Sequence, residues 1–119
     1  MSGTPIVMYI VVNKDLKMGK GKIAAQVGHV VGDIVRELEH MSPRSPKYIE
    51  YTRWITDHGY AKVVLQATQL EMERLIDSEA TCRFVRDEGR TQIAPNSLTA
   101  IGFFPCANLA TKLSSFKLL

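Results

Sequence analysis

Four polar side chains recur between residues 22 and 33 at spacings that share one face of a helix: Lys22, Gln26, His29 and Asp33. At 100° per residue they fall in a sector about 60° wide. A lysine, an amide, an imidazole and a carboxylate in one row could stabilise an oxyanion, hold a water and exchange a proton. The same row is also what the solvated face of an ordinary amphipathic helix looks like. Just ahead of it, Asn13 to Lys22 carries Lys14, Lys17, Lys20 and Lys22 against one acid, Asp15. That segment nets +3, the whole excess of the 119-residue chain, so the basicity is a local device and points to one anionic partner site. Gly19 and Gly21 permit close backbone approach, and a helix beginning here would add unpaired N–H groups and its positive dipole end. Lysines in a first helical turn oppose that dipole, which suggests that a bound anion offsets them.

A second constellation is the polar loop Asp87 to Ser97, long for so small a domain. A carboxylate at a strand end followed by glycine suits a site, and in an α/β sheet Asp87 could meet Lys22 in the crevice at the strand ends. Such a pair could orient water and support a developing oxyanion, or be a surface salt bridge worth about 0–1 kcal/mol. Other chemistries lack support. Gly19 to Ala24 matches the loose dinucleotide pattern, but it stands six residues beyond the strand, and no acid ends the second strand. Ile23 after Lys22 breaks the P-loop pattern, and there is no Gly-x-Ser-x-Gly elbow or Cys/His nucleophile signature. Cys82, Cys106, His29, His40 and His58 lack ligand spacing, so no metal and no cofactor is expected.

The elements that must position these groups follow from periodicity. Ile6 to Val12 is apolar throughout and rich in β-branched residues, the mark of a central strand. Lys22 to about His40 reads as a helix resting on the sheet through Ile23, Val27, Val30, Ile34 and Leu38, opposite the polar ridge. Ala24, Ala25, Gly28 and Gly32 adjoin that stripe, where a neighbouring helix or a partner subunit would fit. Ser45-Pro46 and Gly59 bracket a second helix, Ala61 to Ala67 is a strand, and Thr68 with Glu71 forms a capping box opening a third helix to about Ala80. Cys82 to Arg86 and Leu98 to Phe104 are two further strands, and Cys106 to Leu119 is a weak helix with an apolar tail. The order β-α-α-β-α-β-β-(α) predicts a three-layer α/β sandwich, a mixed four-stranded sheet with helices on both faces, as one domain over residues 1–119. With 45% hydrophobic and 23% charged residues and no apolar run near the roughly 20 that a membrane helix needs, disorder and membrane insertion are excluded. Two cysteines and a first apolar run with no basic residue before it place the chain in the cytosol.

The strings themselves carry a resemblance. Asp15-Leu-Lys-Met-Gly-Lys-Gly-Lys-Ile-Ala-Ala-Gln26 with His29, then Lys62-Val-Val-Leu, then Gly89-Arg-Thr-Gln-Ile-Ala-Pro95 and Thr99 closely resemble the type 2 peptidyl-tRNA hydrolase family over nearly the whole chain. The resemblance implies a metal-independent enzyme that hydrolyses the ester between a peptide and the 3′ end of tRNA, usually as a homodimer. It implies site residues Lys22, Gln26, Asp87 and Thr99, with His29, Arg90, Thr91 and Gln92 around them. Lys14, Lys17 and Lys20 would then hold the nucleic acid and Lys22 would serve the chemistry, with the general base undecided among the site residues. A non-catalytic RNA-binding module of the same fold is the alternative, and a nucleotide-binding oxidoreductase fragment a further rival. The chain departs from the family pattern at Val27-Gly28, Glu88, Asn96 and Phe103 to Cys106; Asn96 stands where a glycine is usual and can itself hold a left-handed turn.

Overall fold

A run of seven apolar residues rich in β-branched side chains suits a strand covered on both faces, and the first strand lies at the centre of the sheet. The computed structural model describes residues 5–79, 82–88, 94 and 96–119. β1 is Met8–Asn13, α1 Lys20–Glu39, α2 Pro46–His58, β2 Lys62–Ala67, α3 Gln69–Ser78, β3 Cys82–Arg86, β4 Leu98–Phe103 and β5 Lys117–Leu118. The sheet order is β3-β4-β1-β2-β5, with β1 and β2 parallel and the other pairs antiparallel. Residues of β1 alternate between two cores. Met8, Ile10 and Val12 pack with Val30, Ile34 and Leu38 of α1 and Tyr51 and Trp54 of α2. Val11 faces Met72 of α3 and Leu109 and Leu113 of the C-terminal segment. The result is the expected α/β sandwich.

Local signals end the elements where the sequence predicts. The Ser45 side chain accepts from Tyr48 N–H ahead of Pro46, and α2 stops at Gly59, whose φ of 60° suits a residue without a Cβ. Thr68 and Glu71 close a reciprocal capping box on α3. The bonds that Thr68 donates hold the Glu71 carboxyl below its ordinary value. α1 begins two residues earlier than its periodicity suggests, at Lys20.

Two expectations are corrected. The sheet has five strands, not four, and the stretch after Cys106 forms turns rather than the weak helix. Leu109 and Leu113 are spaced for one helical turn, but Asn108, Thr111, Ser114 and Ser115 favour side-chain-to-backbone bonds, as Ser114 Oγ shows by donating to Thr111 O at 2.8 Å. Lys117–Leu118 then pairs with Leu65 and Gln66 and covers what would be an open edge of β2. Among the described residues no helix is long and apolar enough to cross a membrane.

α1 crosses β4 at close range. A Cβ at Gly102 would stand 2.8 Å from Ile34 Cδ1 and 3.0 Å from Val30 Cγ2, so glycine sets this spacing. At the far end of the helix, Glu37 takes Arg83 of β3 in a two-point grip, with Nε to Oε1 at 2.8 Å and Nη2 to Oε2 at 2.5 Å. Replacing Gly102 by Ala is expected to cost about 1–3 kcal/mol by overpacking, read as a lower urea midpoint at unchanged slope.

Candidate active site

Three elements converge at the carboxyl ends of β1 and β2. The passage from β1 to α1 makes one 3-10 turn, Lys14–Leu16, and turns back through Lys17 at φ 49°. It is pinned from below. Buried Asn13 donates to Leu98 O at 2.9 Å and to Gln69 Oε1 at 2.7 Å, while its own oxygen accepts from Asp15 N–H. The Asp15 carboxylate accepts from Gln69 N–H at 2.9 Å and so serves the N-terminus of α3. Asn13 was not singled out by sequence reasoning; a polar residue closing an apolar run was the available signal.

α1 then presents Lys22 and, one turn on, Gln26 to the ends of β3 and β4. Lys22 Nζ pairs with Asp87 Oδ1, and both side chains are largely buried, at 11% and 5% exposure. Asp87 directly follows β3 and is fixed through its backbone: its N–H donates to Ser97 O at 2.8 Å and its carbonyl accepts from Asn96 N–H at 2.7 Å. Asn96 holds the left-handed turn expected of it, at φ 65°. Beside this pair, Gln26 Nε2 donates to Thr99 Oγ1 at 2.7 Å, and Thr99 Oγ1 donates to Val85 O at 3.1 Å. A β-bulge makes this contact possible. Val85 pairs with Ala100 and Arg86 with Leu98, so Thr99 is the extra residue and its side chain joins Ala100 on the α1 side of the sheet.

Burying an ion pair costs solvation that the attraction only partly returns, so such a pair is weak evidence for stability and better evidence for a site. Lys22 can donate to a developing oxyanion and Asp87 can accept a proton from water, while Gln26 and Thr99 fix the polar wall between them. Cys82 and Cys106 are unpaired, and burial pushes both thiols above their ordinary value, which disfavours a thiolate nucleophile. Among the described residues no three His, Cys, Asp or Glu side chains are grouped to hold a metal ion.

The structure brings together four of the expected site residues: Lys22, Gln26, Asp87 and Thr99. The ridge on α1 is not opposed to the apolar stripe as expected. Gln26 is buried in line with Val30, Ile34 and Leu38, because the helix end overhangs the bulge. His29 stands outside the cluster, half exposed, with Nε2 3.4 Å from Asp33 Oδ2. Lys14, Lys17 and Lys20 are exposed, and Lys20 lines an apolar trough of about 700 Å³ with Ile23, Val27, Val31, Val64 and Leu119, away from Lys22. Arg90, Thr91 and Gln92 lie outside the described residues.

A mixed α/β sandwich thus carries lysine–carboxylate and amide–hydroxyl pairs at the mouth of its first helix, a small polar centre of the kind acid–base chemistry can use. Residues 6–119 match the family described as peptidyl-tRNA hydrolase PTH2, and the chain belongs to that family. It is 41% identical over 101 residues to the peptidyl-tRNA hydrolase of Methanococcus vannielii, covering 81% of this chain and 82% of that one. It is 39% and 38% identical over 103 residues to the bovine and human proteins named peptidyl-tRNA hydrolase 2, mitochondrial. The matches cover 82% of this chain and 54% of each mammalian protein, so the chain spans about half the length of those relatives.

Thr99→Val is expected to cost about 1–3 kcal/mol in unfolding free energy, because it leaves the buried Gln26 amide and the Val85 carbonyl without the hydroxyl. Thr99→Ser should recover most of the loss in the same denaturation experiment.

Proposed function

We propose that this chain hydrolyses the ester linking a peptide to the 3′ end of tRNA, releasing free tRNA and peptide. The observation that carries this reading is the buried Lys22–Asp87 pair set beside Gln26 and Thr99 at the end of a lysine-rich loop. Water adds to the ester carbonyl carbon and passes a proton to an Asp87 carboxylate oxygen. The oxyanion so formed accepts from Lys22 Nζ. Collapse breaks the bond to the ribose oxygen, which leaves with the proton returned from Asp87. Gln26, steadied by Thr99, holds the water or the carbonyl in register, and His29 stands at the rim where the substrate enters. Lys14, Lys17 and Lys20, with Arg90, Thr91 and Gln92, take the tRNA. No cofactor enters this scheme. The unpaired cysteines suit a reducing compartment, and the cytoplasm is the proposed location.

Lys22→Ala and Asp87→Asn should each lower kcat/KM for peptidyl-tRNA by about 10²–10³-fold, the usual scale for losing a general base or an oxyanion donor. Full activity in both variants would overturn the assignment.

The working form is proposed to be a homodimer. Among the described residues the small-residue side of α1 has no neighbouring helix against it: a Cβ at Gly28 or Gly32 would meet nothing within 4 Å, and the apolar trough adjoins that side. A second copy is the remaining occupant of the two that the sequence suggests. Val27→Glu should then convert a dimer to a monomer in sedimentation equilibrium, whereas a wild-type chain that sediments as a monomer at all concentrations would end this reading.

A further inference from the structure

A second cleft opens on the same edge of the sheet as the Lys22–Asp87 pair. It holds about 300 Å³ and is lined by Lys14, Gln66, Glu71, Ser115, Phe116 and Lys117. The topology explains its place. Lys14 follows the carboxyl end of β1, Gln66 stands one residue from the carboxyl end of the parallel strand β2, and Lys117 pairs with Gln66 in register. From β4, which carries Thr99, to β5 is three strand spacings, about 14 Å. That span suits a few nucleotides of unstacked single strand.

The lining combines what a nucleotide needs. Lys14 and Lys117 are exposed cations that flank the opening, and Phe116, half-buried against the core beneath, offers an aromatic surface for a base. Ser115 brings a hydroxyl, and Gln66, whose Nε2 donates to Leu118 O, keeps its amide oxygen for a ribose hydroxyl. The acids nearby are engaged elsewhere. The Glu71 carboxylate accepts from Thr68 N–H at 2.8 Å and Thr68 Oγ1 at 3.1 Å, and Asp15 accepts from Gln69 N–H. Their charges temper the two lysines without closing the cleft.

We infer that this cleft binds a nucleotide of the single-stranded acceptor end, upstream of the terminal ribose held at Lys22 and Asp87, with phosphate on Lys14 and Lys117 and a base against Phe116. The inference rests on the proposed tRNA substrate, and its test is therefore a binding measurement that does not require turnover. Fluorescence anisotropy of a labelled single-stranded RNA ending in CCA is titrated across salt concentrations with wild type, Lys117→Ala, Phe116→Leu and Arg44→Ala. Arg44 is exposed in the connection beyond the carboxyl end of α1, at the opposite edge of the sheet, and serves as the control.

Lys117→Ala should weaken binding about 5–10-fold and flatten the log–log salt slope by about 0.7–1, as loss of one phosphate contact does. Phe116→Leu should weaken binding without changing the slope, and Arg44→Ala should leave both unchanged. Cleavage of an N-blocked aminoacyl-adenosine, which lacks the upstream nucleotides, should proceed equally in wild type and Lys117→Ala. Unaltered affinity and slope in Lys117→Ala would overturn the inference, as would an equal loss in Arg44→Ala. RNA binding that depends on Lys117, from a protein that cleaves no ester, would sustain the cleft and defeat the hydrolase reading alone.

Discussion

How closely α1 can approach β4 governs everything at the site. The missing side chain at Gly102 lets Val30 and Ile34 descend onto the sheet, and Lys22 and Gln26 sit on the same rigid rod about three and two turns before Ile34. A helix held about an ångström further out would carry those long side chains away from Asp87 and Thr99 together. The Arg83–Glu37 fork closes the other end of the lever, so that α1 is fixed in height by packing and in direction by charge. The polar pairs then need supply little stability of their own. Their desolvation is tolerated because Val30, Ile34 and Leu38 have already brought the surfaces together.

The β-bulge makes the matching adjustment on the sheet. In a regular strand, with Ala100 facing α1, Thr99 would face α3. The extra residue turns its hydroxyl under Gln26 while Leu98 remains in the opposite core. Bulges commonly re-aim a side chain beside a site in this way. Just below, Asn13 ties β1 to β4 and α3 through one amide, so the lysine loop starts from a fixed point. The loop's freedom is spent before any ligand arrives, which reduces the ordering cost of gripping one.

What was legible in the sequence was mostly local. The Ser45-Pro46 start, the Gly59 stop and the Thr68–Glu71 capping box act within three or four residues, and the structure realises each of them. The meeting of Lys22 with Asp87 was also legible, because strand ends and helix starts share one edge in an α/β sheet. Gln26 was misread as a member of an exposed ridge. A helical wheel sees only that glutamine is polar, and its burial depends on a hydroxyl 73 residues away. β5 escaped for the opposite reason: two residues show no periodicity, and their strand character comes from the open edge of β2 that they cover. Phe116-Lys117 falls within the stretch that reads as a weak helix with an apolar tail, and forms one wall of a cleft.

The localised charge of the chain is likewise less unified in space than in sequence. Its four lysines occupy ten consecutive residues, yet the turn at Lys17 and the start of α1 send them to different surroundings. Lys14 reaches toward β5, Lys20 lies along the apolar trough, and Lys22 is buried against Asp87. Of these, only Lys22 has its charge met by a buried carboxylate within the site, and its partner is set by the backbone at the end of β3. A polyanion approaching this edge would therefore meet exposed cations first and the buried pair last. That order suits a substrate whose charged backbone must be placed before its ester can react, because binding energy from the remote phosphates is available to hold the reacting bond in position.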